Sequence, residues 1–243
     1  MEPEQQRTLI VAAHPDDETI GSAIWMARHK RRERITIVHV TDGAARDFPD
    51  REDYARRRRQ ELLAAVGLAG IRPQQCLNLG FMDKEAWLHM PELVQRISEV
   101  IRQIRPELIM THPYEGGHPD HDAAAFAVAQ ALEGRIAHWE FTSYHAGTHG
   151  IITGEFLGPE PTRMARLAPS ERDLKRAMFA AFASQQHVLE MFGLDHEAFR
   201  RAPAYDFTQP PLAGELQYEQ WGFAAGPEWR SRALQALNRR TMV

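Results

Sequence analysis

Cysteine is nearly absent: Cys76 stands alone among 243 residues, so no disulfide can form within the chain, and the usage suits a reducing compartment. Long apolar runs are missing as well. Stretches such as Ala123–Ala129 fall far short of the roughly 20 residues that a membrane-crossing helix needs, so no membrane insertion is expected. The opening Met1–Arg7 has neither the basic nor the apolar segment of a secretory leader, which makes a cytoplasmic location the expectation. There is no basic excess either. Against 33 Asp+Glu stand 29 Lys+Arg, a formal charge of −4, which disfavours nucleic acid and anionic lipid as partners. Repeats of solenoid length and low-complexity tracts are also missing, and nothing demands a second domain.

What is present suffices for one sizeable core: 43% hydrophobic and 26% charged residues. The expectation is a single domain over 1–243, with a core at about 8–190 and a C-terminal extension at about 191–243. Short apolar runs at 8–13, 35–41, 76–80 and 107–112 read as buried strands. Between them lie helical spacings, clearest in Leu93, Ile97, Ile101 and Ile104. Such alternation predicts an α/β fold, a Rossmann-like, doubly wound, mostly parallel sheet with helices on both faces and a decorated C-terminal part. Further on, HWEFTSYHA is expected to be another strand, RMARLA another, and Glu171–Met191 a helix.

In that layout ligands bind at the carboxyl ends of the strands. There the first strand runs into His14-Pro15-Asp16-Asp17-Glu18, and the fourth into His118-Pro119-Asp120-His121. A helix start alone accounts for one such junction, because Pro suits the first helical position and acidic groups complement the helix dipole. Two junctions at neighbouring strand ends suggest halves of one site. If the chain turns into a helix at Pro15, His14 and Asp17 share a side. With His121, from the first turn of the later helix, they form a three-ligand set suited to Zn2+, one ion per chain, with Fe2+ as the alternative metal. Asp16 is left beside that ion as the general base. His118 is the spare imidazole, placed to polarise an oxyanion and pass a proton to the leaving amine, with Asp120 orienting its ring.

These motifs resemble the zinc-dependent PIG-L or LmbE-like de-N-acetylases. The likeness rests on His14-Pro15-Asp16-Asp17-Glu18 with Gly21, and on His118-Pro119-Asp120-His121. It extends more weakly to Arg58, Glu61, Lys175, Ala177, Ser184 and Gln185. The resemblance implies the same ligands and the same base, and a hydrolase that removes an N-acetyl or related N-acyl group from a small amino sugar or glycoconjugate. Asp47, Arg58 and Trp87 are candidate substrate contacts, and Phe48 and Trp221 are further aromatic platforms. The terminal aromatics Tyr218, Trp221, Phe223 and Trp229 are expected either to close over the site or to form a homo-oligomer contact.

Three other readings compete. A non-haem iron oxygenase uses two His and one carboxylate, but on a jelly roll with different ligand spacing. A nucleotide-binding module would want G-x-G-x-x-G at the first turn, where acidic residues stand instead. The scissile amide could also be non-acetyl, as in a thiol conjugate.

Overall fold

A computed structural model of the chain describes residues 5–132, 136–160 and 162–241. Strands β1 (Thr8–Ala12), β2 (Ile35–Ala45), β3 (Cys76–Asp83), β4 (Leu108–Thr111) and β5 (Ala137–Phe141) are parallel, in the spatial order β3-β2-β1-β4-β5. Strands β6 (Tyr144–Gly147) and β7 (Gly150–Thr153) make a separate hairpin. Beyond β5 the main sheet continues antiparallel through β9 (His196–Arg201) and then β8 (Thr162–Arg166).

The helices are α1 (Asp17–Arg28), α2 (Arg51–Leu68), α3 (Met90–Ile104), α4 (Pro119–Ala131), α5 (Pro169–Ala180), α6 (Gln186–Leu189), α7 (Gln217–Gln220) and α8 (Gly226–Thr241). Strand alternation divides the core into two layers. Leu9, Val11, Val38, Val40 and Ile109 pack on one face with Leu93, Ile97, Phe126 and Trp229, from α3, α4 and α8. Ile10, Ile35, Ile37, Leu108 and Met110 pack on the other with Ala23, Leu62, Val66 and Met178, from α1, α2 and α5. Each buried aliphatic side chain contributes about 1.5–3 kcal/mol, and the inner strands β1, β2 and β4 read as apolar runs because both faces are covered.

Helix α1 leaves β1 toward one face and α4 leaves β4 toward the other. The two strands are neighbours and end level, with Val11 paired to Thr111. Their diverging exits open a crevice at the carboxyl edge.

Several expectations need correction. Strand β2 does not stop at residue 41 but runs to Ala45, with irregular register after His39. HWEFTSYHA is two strands, β5 and β6, separated at Thr142–Ser143. The expected helix Glu171–Met191 breaks after Ala180. Phe182 turns out of the helical region there (φ −90°, ψ 66°), and Glu61 accepts hydrogen bonds from both the backbone and the hydroxyl of Ser184. Strand β9 was hidden by its charge. Glu197 and Arg200 are buried within it, each held by an opposite partner, so its apolar alternation is masked.

Candidate metal and active site

At the exit of β1 the chain folds tightly on itself before α1 begins. The backbone N–H of His14 donates to Asp17 Oδ2 at 2.7 Å, and Asp16 takes a positive φ of 155° as the residue preceding the helix. Pro15 therefore lies outside α1, and Asp17 and Glu18 form its first turn. Glu18 does not enter the site. Its Oε2 lies 2.9 Å from His39 Nε2 in a fully buried pair that anchors the turn to β2.

The fourth strand supplies the other half. His118 precedes α4 and caps it, its Nδ1 accepting the backbone N–H of Asp120 at 3.2 Å. Asp120 thus steadies the His118 ring through its amide, not through its carboxylate as expected. The carboxylate instead accepts the backbone N–H groups of Lys84 (2.7 Å) and Trp87 (3.4 Å) and lies 3.5 Å from His14 Nε2.

These turns bring distant groups together. His14 Nδ1 is 3.2 Å from His121 Nε2 and 3.1 Å from Asp17 Oδ2, while His121 Nε2 is 3.3 Å from Asp17 Oδ1. Two ring nitrogens face each other with a carboxylate alongside, and one proton cannot satisfy all of them. A divalent cation can, and the donor set suits zinc. The opposite edge of the His14 ring faces two further carboxylates, Asp83 and Asp120. His14 Nε2 and Asp83 Oδ1 lie 3.1 Å apart, yet both are buried with no aligned hydrogen bond.

Charge follows the geometry. Burial works against a charged His14 ring, but Asp83 and Asp17 prevail and raise its pKa well above the ordinary value. Burial likewise opposes ionisation of Asp17, and the charges of His121, His112 and His14 reverse it, holding the carboxyl well below its usual range. Asp83 is held low in the same manner, by His14 and His118 against burial. Asp16 behaves differently. Burial pushes its carboxyl up to about 7, although the Arg58 guanidinium opposes the shift from 3.0 Å.

Two residues of this cluster escaped the reading of the sequence. Asp83 ends β3, where a lone carboxylate after a strand gave no motif. His112 follows β4 directly and precedes Pro113, and a lone histidine there is no motif either. The Ala13 N–H donates to His112 Nε2 at 3.0 Å, and its ring stacks on His121 with centroids 4.0 Å apart.

The cluster opens into a cavity of about 540 Å³ whose lining includes Asp16, Arg58, Tyr54, Tyr144, Lys84 and Trp221. Arg58 reaches it as expected. Its guanidinium also donates to the carbonyls of Pro15 (2.7 Å) and Gly43 (3.2 Å), which fixes the floor. Asp47 and Trp87 do not line the cavity. Asp47 lies in the exposed turn after β2, and Phe48 beside it takes the wall position, stacked on Tyr54 at 3.9 Å. Trp87 is buried in the core behind the site, its indole N–H donating to the Lys84 carbonyl at 2.8 Å. The terminal aromatics divide: Trp221 and Phe223 line the cavity, whereas Tyr218 and Trp229 are fully buried. No helix among the described residues is long and apolar enough to cross a membrane.

Sheet order, crevice and cluster define a Rossmann-like α/β protein with a histidine–carboxylate centre at its topological switch point. The family profile described as PIG-L: GlcNAc-PI de-N-acetylase matches residues 9–132, and the chain belongs to that family. It is 34% identical over 137 residues to a probable N-acetyl-alpha-D-glucosaminyl L-malate deacetylase 2 of Bacillus subtilis, covering 53% of this chain and 61% of that protein. It is 31% identical over 152 residues to a 1D-myo-inositol 2-acetamido-2-deoxy-alpha-D-glucopyranoside deacetylase of Nocardioides, covering 48% of this chain and 50% of that protein. The chain thus spans less than two thirds of either relative's length. In fold it is similar to the zinc-inhibited form of teicoplanin deacetylase Orf2, with a TM-score of 0.59 at 16% identity, over 82% of this chain and 99% of that one. It is also similar to the N,N'-diacetylchitobiose deacetylase of Pyrococcus horikoshii, with a TM-score of 0.56 at 16% identity, over 82% and 84% of the two chains.

Proposed function

We propose that this protein is a metal-dependent hydrolase that removes an N-acetyl or related N-acyl group from a small amino sugar or glycoconjugate. One divalent ion, zinc before Fe2+, is held by His14, Asp17 and His121. The observation that carries this reading is the convergence of His14 Nδ1, His121 Nε2 and the Asp17 carboxylate, with neighbouring distances of 3.1–3.3 Å. The deacetylase relatives support it, since both are named for N-acetylglucosamine derivatives.

When bound, the ion supplies Lewis acidity toward the amide oxygen and makes water a nucleophile near neutral pH. The chain's own groups do the rest. Asp16 accepts the proton of the attacking water, and Arg58 holds its Oδ2 in place at 3.0 Å. Because His118 Nδ1 accepts an amide N–H, its ring proton sits on Nε2. That N–H donates to the developing oxyanion. Burial, together with the charge of His14, holds the His118 pKa well below normal. Asp16 then returns its proton to the nitrogen as the C–N bond breaks, releasing the amine and the carboxylic acid, which ionises to carboxylate in water.

An iron oxygenase is not favoured, because the fold and the relatives are those of deacetylases. The test is to incubate zinc-loaded protein with a panel of N-acetylated amino sugars and read out both acetate and free amine. Absence of both across the panel, or oxygen consumption in place of them, would reject the reading.

A further inference from the structure

Helix α1 consists of two pieces, and the seam between them is filled by an ion pair from the second half of the chain. Ser22 is non-helical at φ −149° and ψ 24°. In an unbroken helix the Ile24 N–H would donate to the Ile20 carbonyl. Here it donates to Glu197 Oε1 at 2.8 Å, and the Trp25 N–H donates to Glu197 Oε2 at 2.9 Å. The released Ile20 carbonyl accepts from Lys175 Nζ at 2.8 Å, and Nζ lies 3.2 Å from Glu197 Oε1. Both side chains are 1% exposed. A relay from Ile24 through Glu197 and Lys175 to Ile20 thus stands where one backbone hydrogen bond would be.

A continuous helix would need neither charge, and burying an ion pair carries a desolvation penalty that its attraction only partly offsets. What the inserted pair provides is direction. It lets the first turn, with Asp17 and Glu18, point differently from the remainder of α1. That turn is fastened at its other end by the Glu18–His39 contact. Lys175 and Glu197 lie outside the segment 9–132 that the family profile matches.

We infer that Lys175 and Glu197 are positioning residues, a wedge that aims the first turn of α1 and so sets the Asp17 carboxylate between His14 and His121. The inference rests on the metal-hydrolase reading above. Without the wedge, the Ile24–Ile20 hydrogen bond closes, α1 straightens, and Asp17 leaves its place.

The test compares wild type with Glu197→Gln, Lys175→Met and the paired Lys175→Met/Glu197→Leu. It measures zinc affinity by competition with a chromophoric chelator, Tm of the metal-free protein, and kcat and KM separately. The paired variant leaves no buried charge unpartnered and decides the matter where a single variant does not fold; Glu197→Gln, which keeps the side-chain shape, decides it where the paired one does not. The expected result is a metal-free Tm near wild type, zinc binding weakened about tenfold or more, and kcat reduced with KM little changed. Wild-type zinc affinity and kcat in a folded variant would reduce the pair to a structural cap and overturn the inference. A wild-type protein that binds no zinc would instead refute the underlying reading, and the inference with it.

Discussion

His14 and His121 are separated by 107 positions in sequence, yet His14 Nδ1 and His121 Nε2 face each other at 3.2 Å, with Asp17 oxygens beside both. Bare imidazoles have little reason to adopt that geometry. The parallel pairing of β1 and β4 makes it: once Val11 and Thr111 are in register, the two turns that follow must meet.

Replacing His121 by Ala removes one corner of the cluster. Changing an outer partner of a metal ligand costs about 10–100-fold in affinity, so loss of the ligand itself should exceed about 100-fold. Metal content after dialysis, measured by mass spectrometry, checks this. Full retention would remove His121 from the ligand set.

Asp16→Asn should separate ligation from catalysis. The amide cannot accept a proton, so we expect metal content to persist while kcat falls by about 10²–10⁴-fold. Arg58 still has the carbonyls of Pro15 and Gly43 as acceptors, which keeps the floor in place. Unchanged turnover would exclude Asp16 as the base.

Metal should also stabilise the fold, because the ligands converge only in the native state. At a free zinc concentration 100 times Kd the gain is about 2.7 kcal/mol, visible as a rise in Tm that a chelator reverses. His121→Ala should lose most of that rise. An equal zinc response in both proteins would mean that the ion binds elsewhere.

Remote from the site, Arg200 Nε donates to Glu140 Oε2 at 2.7 Å, and the Tyr205 hydroxyl donates to Glu140 Oε1 at 2.7 Å. Arg200→Met strands a buried carboxylate and should cost about 3–5 kcal/mol in denaturant unfolding. Arg200→Met/Glu140→Leu should recover much of that loss. Equal losses in the single and paired variants would mean that Arg200 acts through packing alone.

Gly21→Ala probes a close approach between α1 and Phe141 of β5. A Cβ there would lie 2.2 Å from Phe141 Cδ2, so the helix or the ring must move. Overpacking of this kind costs about 1–3 kcal/mol. Phe141→Leu in the same chain should restore part of the lost Tm, and a single variant as stable as wild type would show that the contact yields freely.

Much of this protein is determined locally and can be read from its residues. The alternation of apolar runs with helical spacings produces β1 to β4 and α1 to α4, because the inner strands β1, β2 and β4 are buried on both faces, the edge strand β3 in part, and each helix must turn its apolar stripe inward. His14, Asp17, His118 and His121 are legible for a related reason: they crowd the two strand-to-helix turns that this layout brings side by side. Tertiary structure decides the remainder. Asp83 and His112 join the cluster only through sheet order and register, and Trp87 leaves the cavity wall because its ring fills the core behind it. Strand β9 and the seam in α1 depend on charges that look like surface residues until a partner from another segment reaches them. Apolar periodicity is a property of one segment, whereas the pairing of a buried charge is a property of two, and only folding brings the second to the first.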